Sequence, residues 1–286
     1  MTAIQAKATG AEMPAKAGAI AIILLLIFIG IGYYLTMIGL FTMAVFYSLI
    51  GIIIGGVLVT FSVHFVPVGG APAAMGQAPG IATGVTMLAA GAGLAGLFKG
   101  AWAAEFGYAV ALGTGAIGGA LLMAITCMFV NVTYVYAMGI PSASGKVSKD
   151  PITGDTQDEY KSQGTEGHGL PFISYVGGVL GGLIGGFGGT LIYLSLYDAY
   201  ITGIPALMNQ PVDDVMPIIV SVAGIFAIGM FLVNAVLTAY NITGTIEGPH
   251  DPKFKRFPRA LVASAVASAL SGLLALMIIV PIQLPF

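Results

Sequence analysis

Two apolar stretches end in nearly the same way. Asn131 is followed by Thr133 and Tyr134, and Asn234 is followed by Thr238 and Tyr240. Each stretch leads into a polar loop containing Asp-Pro, Asp150-Pro151 in one and Asp251-Pro252 in the other. An amide in hydrocarbon is costly unless it finds a partner. Two such helices facing one compartment therefore predict a polar seam within a bundle. Amide and hydroxyl oxygens are the ligands a hard monovalent cation such as Na⁺ accepts in place of water, so Asn131, Thr133, Asn234 and Thr238 are candidates for a Na⁺ path. The alternative is simple interhelical hydrogen bonding, about 0.6 kcal/mol per pair on average. Asp198 and Glu247, at the ends of their spans, are the nearest carboxylates and are candidates for an entrance or exit. Solvated helix ends are the plainer reading of both.

Other chemistry is absent from the pattern. Cys127 is the only cysteine, which excludes a disulfide scaffold or a cysteine metal site within this chain. His64, His168 and His250 map to one side of the membrane without metal-ligand spacing, so no metal site is expected. No Ser-His-Asp set or catalytic carboxylate pair can be argued, and no basic stripe with interleaved aromatics suggests nucleic acid.

The elements that must hold these residues are membrane helices. Of 286 residues 57% are hydrophobic and only 8% charged, with a net charge of −2. A soluble domain carries about 25% charged residues. The charges also cluster, leaving gaps long enough for helices of about 20 residues. We read a single all-α, polytopic membrane domain over 1–286 with seven spans: 17–35, 43–66, 81–98, 106–138, 171–197, 217–240 and 260–283. The third is short and glycine-rich, and re-entry from one side is its alternative. The first run is too long for a signal peptide's apolar core and lacks a clear cleavage site.

Seven crossings place Lys7, Lys16, Lys146, Lys149, Lys161, Lys253, Lys255, Arg256 and Arg259 on one side, and Lys99 alone on the other. The positive-inside rule makes the first side cytoplasmic. The N-terminus and the loops 67–80, 139–170 and 241–259 are then cytoplasmic, and the C-terminus is outside. The outer loop with Asp198, Asp213 and Asp214 is purely acidic.

In the fifth span Gly177, Gly181, Gly185 and Gly189 fall four apart, with Gly178, Gly182 and Gly186 in the next row. Such rows let neighbouring backbones approach closely. They predict a helix buried in a tight bundle or at an interface between subunits.

Several segments also resemble the D-subunit family of tetrahydromethanopterin S-methyltransferase, from methanogenic archaea. They are 63–75 with His64, Pro67, Gly69, Gly70 and Pro72; 82–94 with Thr83, Gly84 and Met87; Asp150-Pro151-Ile152-Thr153-Gly154; Thr165-Glu166-Gly167-His168-Gly169; and Gly244 to Arg256. The resemblance covers about residues 50–286. The segment 1–40 departs from it and is read as an N-terminal extension carrying an extra span. The resemblance implies a complex that moves a methyl group from methyl-tetrahydromethanopterin to coenzyme M through a corrinoid, and drives Na⁺ out of the cell. It implies that the A subunit carries the corrinoid and that the C, D and E subunits form the membrane bundle with the Na⁺ path. This chain is then expected to bind no cofactor itself, to meet lipid and partner subunits, and to serve transport and assembly. A purely structural anchor and an independent secondary transporter are the alternatives.

Overall fold

The computed structural model describes residues 15–65, 93–137, 161–162, 165–166, 172–242 and 257–281. Among these residues it is a helical bundle with seven α-helices: α1 (Ala15–Met37), α2 (Met43–Val63), α3 (residues 93–102), α4 (Tyr108–Asn131), α5 (Phe172–Met208), α6 (Val212–Ile242) and α7 (Phe257–Leu276). Six of them, all except α3, are long and apolar enough to cross a membrane. A short antiparallel pairing of Lys161–Ser162 with Thr165–Glu166 is the only strand structure among the described residues. Of the third expected span, 81–98, only its end is described, as the start of α3. The loops 67–80 and 243–256, most of 139–170, and Glu247 lie outside the described residues.

The fifth span needs correction. The expected helix ends at residue 197, where Asp198 interrupts the apolar run, but α5 continues to Met208. Beyond Asp198 the helical spacing of apolar side chains resumes. Ala199, Tyr200 and Ile204 are buried and pack in one cluster with Val215, Ile219 and Val280. The Tyr200 hydroxyl donates to the Ala275 carbonyl at 2.9 Å, which ties α5 to α7. The helix stops at Asn209, which takes a left-handed φ of 50°. The amide of Gln210 reaches back to the carbonyl of Pro205 at 3.2 Å, the long bond of a Schellman cap. Asp213 and Asp214 then sit in the first turn of α6, where the helix dipole favours negative charge. The expected acidic loop is thus two helix ends and a tight turn.

A second turn of the same kind joins α1 to α2. Gly39 has φ +78°, its amide bonds Thr36 O at 3.1 Å, and the Leu40 amide bonds Leu35 O at 2.9 Å. Thr42 caps α2 by accepting from the Val45 amide. A third turn, through the single-turn helix Ala103–Phe106 and Gly107 at φ +104°, joins α3 to α4.

Helix α5 is the hub, packed against α2 on one side and α4 on the other, with α6 also in contact. The glycine rows explain this. A Cβ at Gly186 would land on the Gly115 carbonyl oxygen, and one at Gly182 on the Gly119 carbonyl. Against α2, a Cβ at Gly188 would lie 2.8 Å from Gly55 O, and one at Gly55 would lie 2.7 Å from Gly188 O. Of the row named first, a Cβ at Gly185 would meet Ser62 Oγ at 2.8 Å, one at Gly189 Phe231 at 3.0 Å and one at Gly177 Phe65 O at 3.2 Å, while Gly181 is buried. Both rows therefore work within this chain. Helix α1 is different: only Gly18 and Gly32 are buried, and Ile20, Ile23, Leu26 and Ile27 are exposed apolar surface.

Candidate functional site

Asn234 is fully buried, on α6 where it meets α2 and α7. Its Nδ2 donates to Met230 O at 2.9 Å and to Ser268 Oγ at 3.0 Å. Its Oδ1 accepts from Ser264 Oγ at 2.5 Å and lies 3.3 Å from Ser268 Oγ. Ser264 Oγ is also 2.9 Å from Gly56 O on α2. Gly56 makes this approach possible, since a Cβ there would lie 2.8 Å from Asn234 Nδ2 and would overlap Ser268 Oγ. Ser264 and Ser268 are four apart and share one face of α7, both with no exposed surface.

Counting hydrogens shows what the cluster favours. Gly56 O, Asn234 Oδ1, Ser264 Oγ and Ser268 Oγ are four oxygens linked by contacts of 2.5 to 3.3 Å. Ser264 has one hydroxyl hydrogen for two oxygen neighbours, Gly56 O and Asn234 Oδ1. If it donates to one, its lone pairs face the other. The group is rich in oxygen.

The cluster continues as a polar file toward one end of the bundle. Thr238 Oγ1 donates to Asn234 O at 2.7 Å, and Thr60 Oγ1 approaches the same carbonyl at 3.4 Å. His64, fully buried at the end of α2, places Nδ1 2.8 Å from Thr60 O and Nε2 3.4 Å from Asn241 Nδ2. Asn241 Oδ1 in turn accepts from Arg259 Nε at 2.6 Å. Since a carbonyl only accepts, His64 carries its proton on Nδ1, and Nε2 accepts from the Asn241 amide. Phe257 braces the imidazole edge-on at 4.7 Å. From Arg259 to Ser268 is nine residues of α7, so the file runs roughly 13 Å into the bundle.

Asn234 and Thr238 share one face of α6, where Thr238 bonds the main-chain carbonyl of Asn234. Their counterparts lie on a different helix, α4. Asn131 closes α4, and its side chain lies outside the described residues. Thr133 falls in a π-helical turn, Val132–Ala137, and is exposed. The main partner of α4 is α5, so the two Asn-bearing helices flank the hub rather than face each other. Asp198 lies at the opposite end of the bundle, exposed on α5. Ser264, Ser268, Thr60, His64 and Gly56 were not singled out from the sequence as site residues. Their signal was there as i,i+4 pairs, Gly56–Thr60–His64 and Ser264–Ser268, but a membrane serine or threonine usually bonds its own helix backbone. Only the facing of helices separates the two cases.

The comparisons with known proteins agree with this architecture. The family model for the D subunit of tetrahydromethanopterin S-methyltransferase matches residues 45–268. A protein of that name from Methanosarcina barkeri is 50% identical over 230 residues, 80% of this chain and 92% of its own length. The Methanopyrus kandleri protein is 48% identical over 227 residues, 79% and 94% of the two chains. The Methanocaldococcus jannaschii protein is 41% identical over 237 residues, 81% and 96%. The matched family region begins inside α2, so α1 lies outside it.

Proposed function

This chain belongs to the D-subunit family of tetrahydromethanopterin S-methyltransferase, and from that premise we propose that it supplies part of the Na⁺ path of the complex. It is a multi-pass membrane component of a methyltransferase complex and has other subunits as partners. In our reading it takes no part in the methyl-transfer chemistry. The corrinoid sits on the A subunit, and this bundle packs against the C and E subunits and lipid. The N-terminus is cytoplasmic and the C-terminus outside. In support, Arg259 shares one end of the bundle with His64, and Asp213 and Asp214 begin α6 at the other.

The observation that carries the reading is the oxygen cluster around Asn234. Na⁺ entering from the cytoplasmic end would exchange water for Gly56 O, Asn234 Oδ1 and the hydroxyls of Ser264 and Ser268. The polar file of His64, Asn241 and Arg259 ties that cluster to the end where the methyl chemistry takes place in this orientation. Movement of the partner there has a hydrogen-bonded route to the cluster.

One observation favours the structural-anchor reading. Both Nδ2 hydrogens of Asn234 already have acceptors, which suits a fastening between helices. Serine truncation separates the two readings. In vesicles carrying the intact complex, Ser264→Ala with Ser268→Ala should raise the half-saturating Na⁺ concentration about tenfold, the equivalent of about 1.4 kcal/mol for two lost hydroxyl ligands. Unaltered Na⁺ dependence in a normally assembled double variant sinks the transport reading and leaves the anchor.

A further inference from the structure

A cavity of about 280 Å³ opens at the other end of the bundle, between Tyr47, Ser48 and Gly51 of α2, Tyr108 of α4, and Ser195 and Asp198 of α5. Its composition is unusual for a chain with so few charges. Asp198 brings a carboxylate, and no basic side chain among the described residues pairs with it. Lys99, the one basic residue expected on this side, lies along Gly118 of α4 and does not line the cavity. Ser48 and Ser195 are 7% and 3% exposed, and both line the cavity. The Ser48 hydroxyl has no hydrogen-bond partner among the described residues.

A buried hydroxyl without a partner is costly. Ser195 is held in place by the bareness of Gly51, whose Cβ position its Oγ occupies. Two buried hydroxyls, the side chains of Tyr47 and Tyr108 and one carboxylate thus line one space. At about 30 Å³ per water it has room for roughly nine waters, enough for a partly hydrated ion. One carboxylate among neutral hydroxyls balances a single positive charge. Divalent ions are usually held by several carboxylates, and no group of three or more His, Cys, Asp or Glu occurs among the described residues.

We propose that this cavity is a binding site for a small monovalent cation, with the Asp198 carboxylate as its charged ligand and the hydroxyls of Ser48, Ser195 and Tyr108 as neutral ones. The site is separate from the Asn234 cluster, since it lies between α2 and α5 toward the acidic end. It rests on the reading above only for the identity of the ion as the transported Na⁺, released here to the outside.

The test uses the purified, intact complex. A water-soluble carbodiimide is applied in NaCl, KCl or choline chloride of equal ionic strength, and modification of Asp198 is read by mass spectrometry of its peptide. At a Na⁺ concentration about five to ten times the dissociation constant, labelling should fall roughly five- to tenfold relative to choline. Equal protection by K⁺ keeps the cation site but removes its link to the transported Na⁺. In parallel, vesicles with Asp198→Asn should lose inhibition of transport by Na⁺ on the outer face. That second readout decides the matter if the carboxylate does not react in any salt. Labelling equal in Na⁺ and choline, with outer inhibition unchanged in Asp198→Asn, overturns the proposal. Protection of Asp198 in a protein whose Ser264 and Ser268 variants behave normally keeps this site and removes the inner one.

Discussion

Replacing Gly186 by leucine leaves no assembled complex. The hub helix α5 meets α4 through bare backbone: a Cβ at Gly186 falls on Gly115 O, 3.0 Å from Gly115 C and 3.3 Å from Gly119 Cα. The obstacle is main chain, which has no rotamer to change. Overpacking a well-filled core costs about 1–3 kcal/mol even where side chains can shift, and here whole helices must separate. Gly96 of α3 is packed against the same spot, since a Cβ there would lie 2.5 Å from Gly186 Cα. Gly113→Leu is the matched control, because it lies on α4 and has nothing within 4 Å of its Cβ position. The measurement is the yield of partner subunits retained by an affinity-tagged chain drawn gently from native membranes. Loss for Gly186→Leu beside near-normal yield for Gly113→Leu is the expected result. Full yield for Gly186→Leu would show that the α4–α5 contact is not a determinant of folding.

Replacing Asn234 by leucine should do the opposite, sparing assembly while uncoupling Na⁺. Leucine keeps the branched four-atom skeleton of asparagine, although its methyl groups need more room in a site buried on all sides. The bonds from Thr60 and Thr238 go to the main-chain carbonyl of residue 234 and survive the change. Ser264 keeps Gly56 O as its acceptor. The lost interhelical bonds are worth about 0.6 kcal/mol each, well within what the glycine packing can absorb. The lost amide oxygen is a different matter for an ion. Na⁺ carried per methyl group transferred should fall about tenfold or more, the equivalent of at least about 1.4 kcal/mol. The assay is methyl-transfer-driven ²²Na⁺ uptake into inverted vesicles, beside methyl transfer in detergent. Uptake at the wild-type ratio would assign Asn234 to fastening alone.

The class of fold was readable because the signal is physical and large. Long uncharged runs have no stable place except the bilayer. The glycine rows of α5 were readable for the same reason, since spacing by four is a statement about one helix face. The extent of α5 was not readable from hydropathy, because Asp198 looks like a boundary. The helix passes through it because Ala199, Tyr200 and Ile204 still have a core to enter. The candidate site was half readable. An asparagine in an apolar run announces its own need for partners, but cannot say which helix supplies them. Gly56, Ser264 and Ser268 answer that need, and each is small, uncharged and common in membrane helices. The matching segments around Asn131 and Asn234 pointed to one shared polar seam. The bundle instead separates them by α5, and local similarity carries no information about that placement.

The three capped turns at 38–42, 103–107 and 209–211 bear on how the chain is made. Only Glu105 among these residues is charged. Each turn is closed by its own hydrogen bonds, among them Leu40 to Leu35 O, Gly107 to Ala104 O and Gln210 to Pro205 O. A ribosome-bound chain can therefore deliver α1 with α2, and α5 with α6, as paired insertions. The α1–α2 turn carries no charge, and the joined ends of α5 and α6 carry only carboxylates, Asp198, Asp213 and Asp214. Glycine contacts between the pairs, such as Gly55 against Gly188, then join them within the lipid.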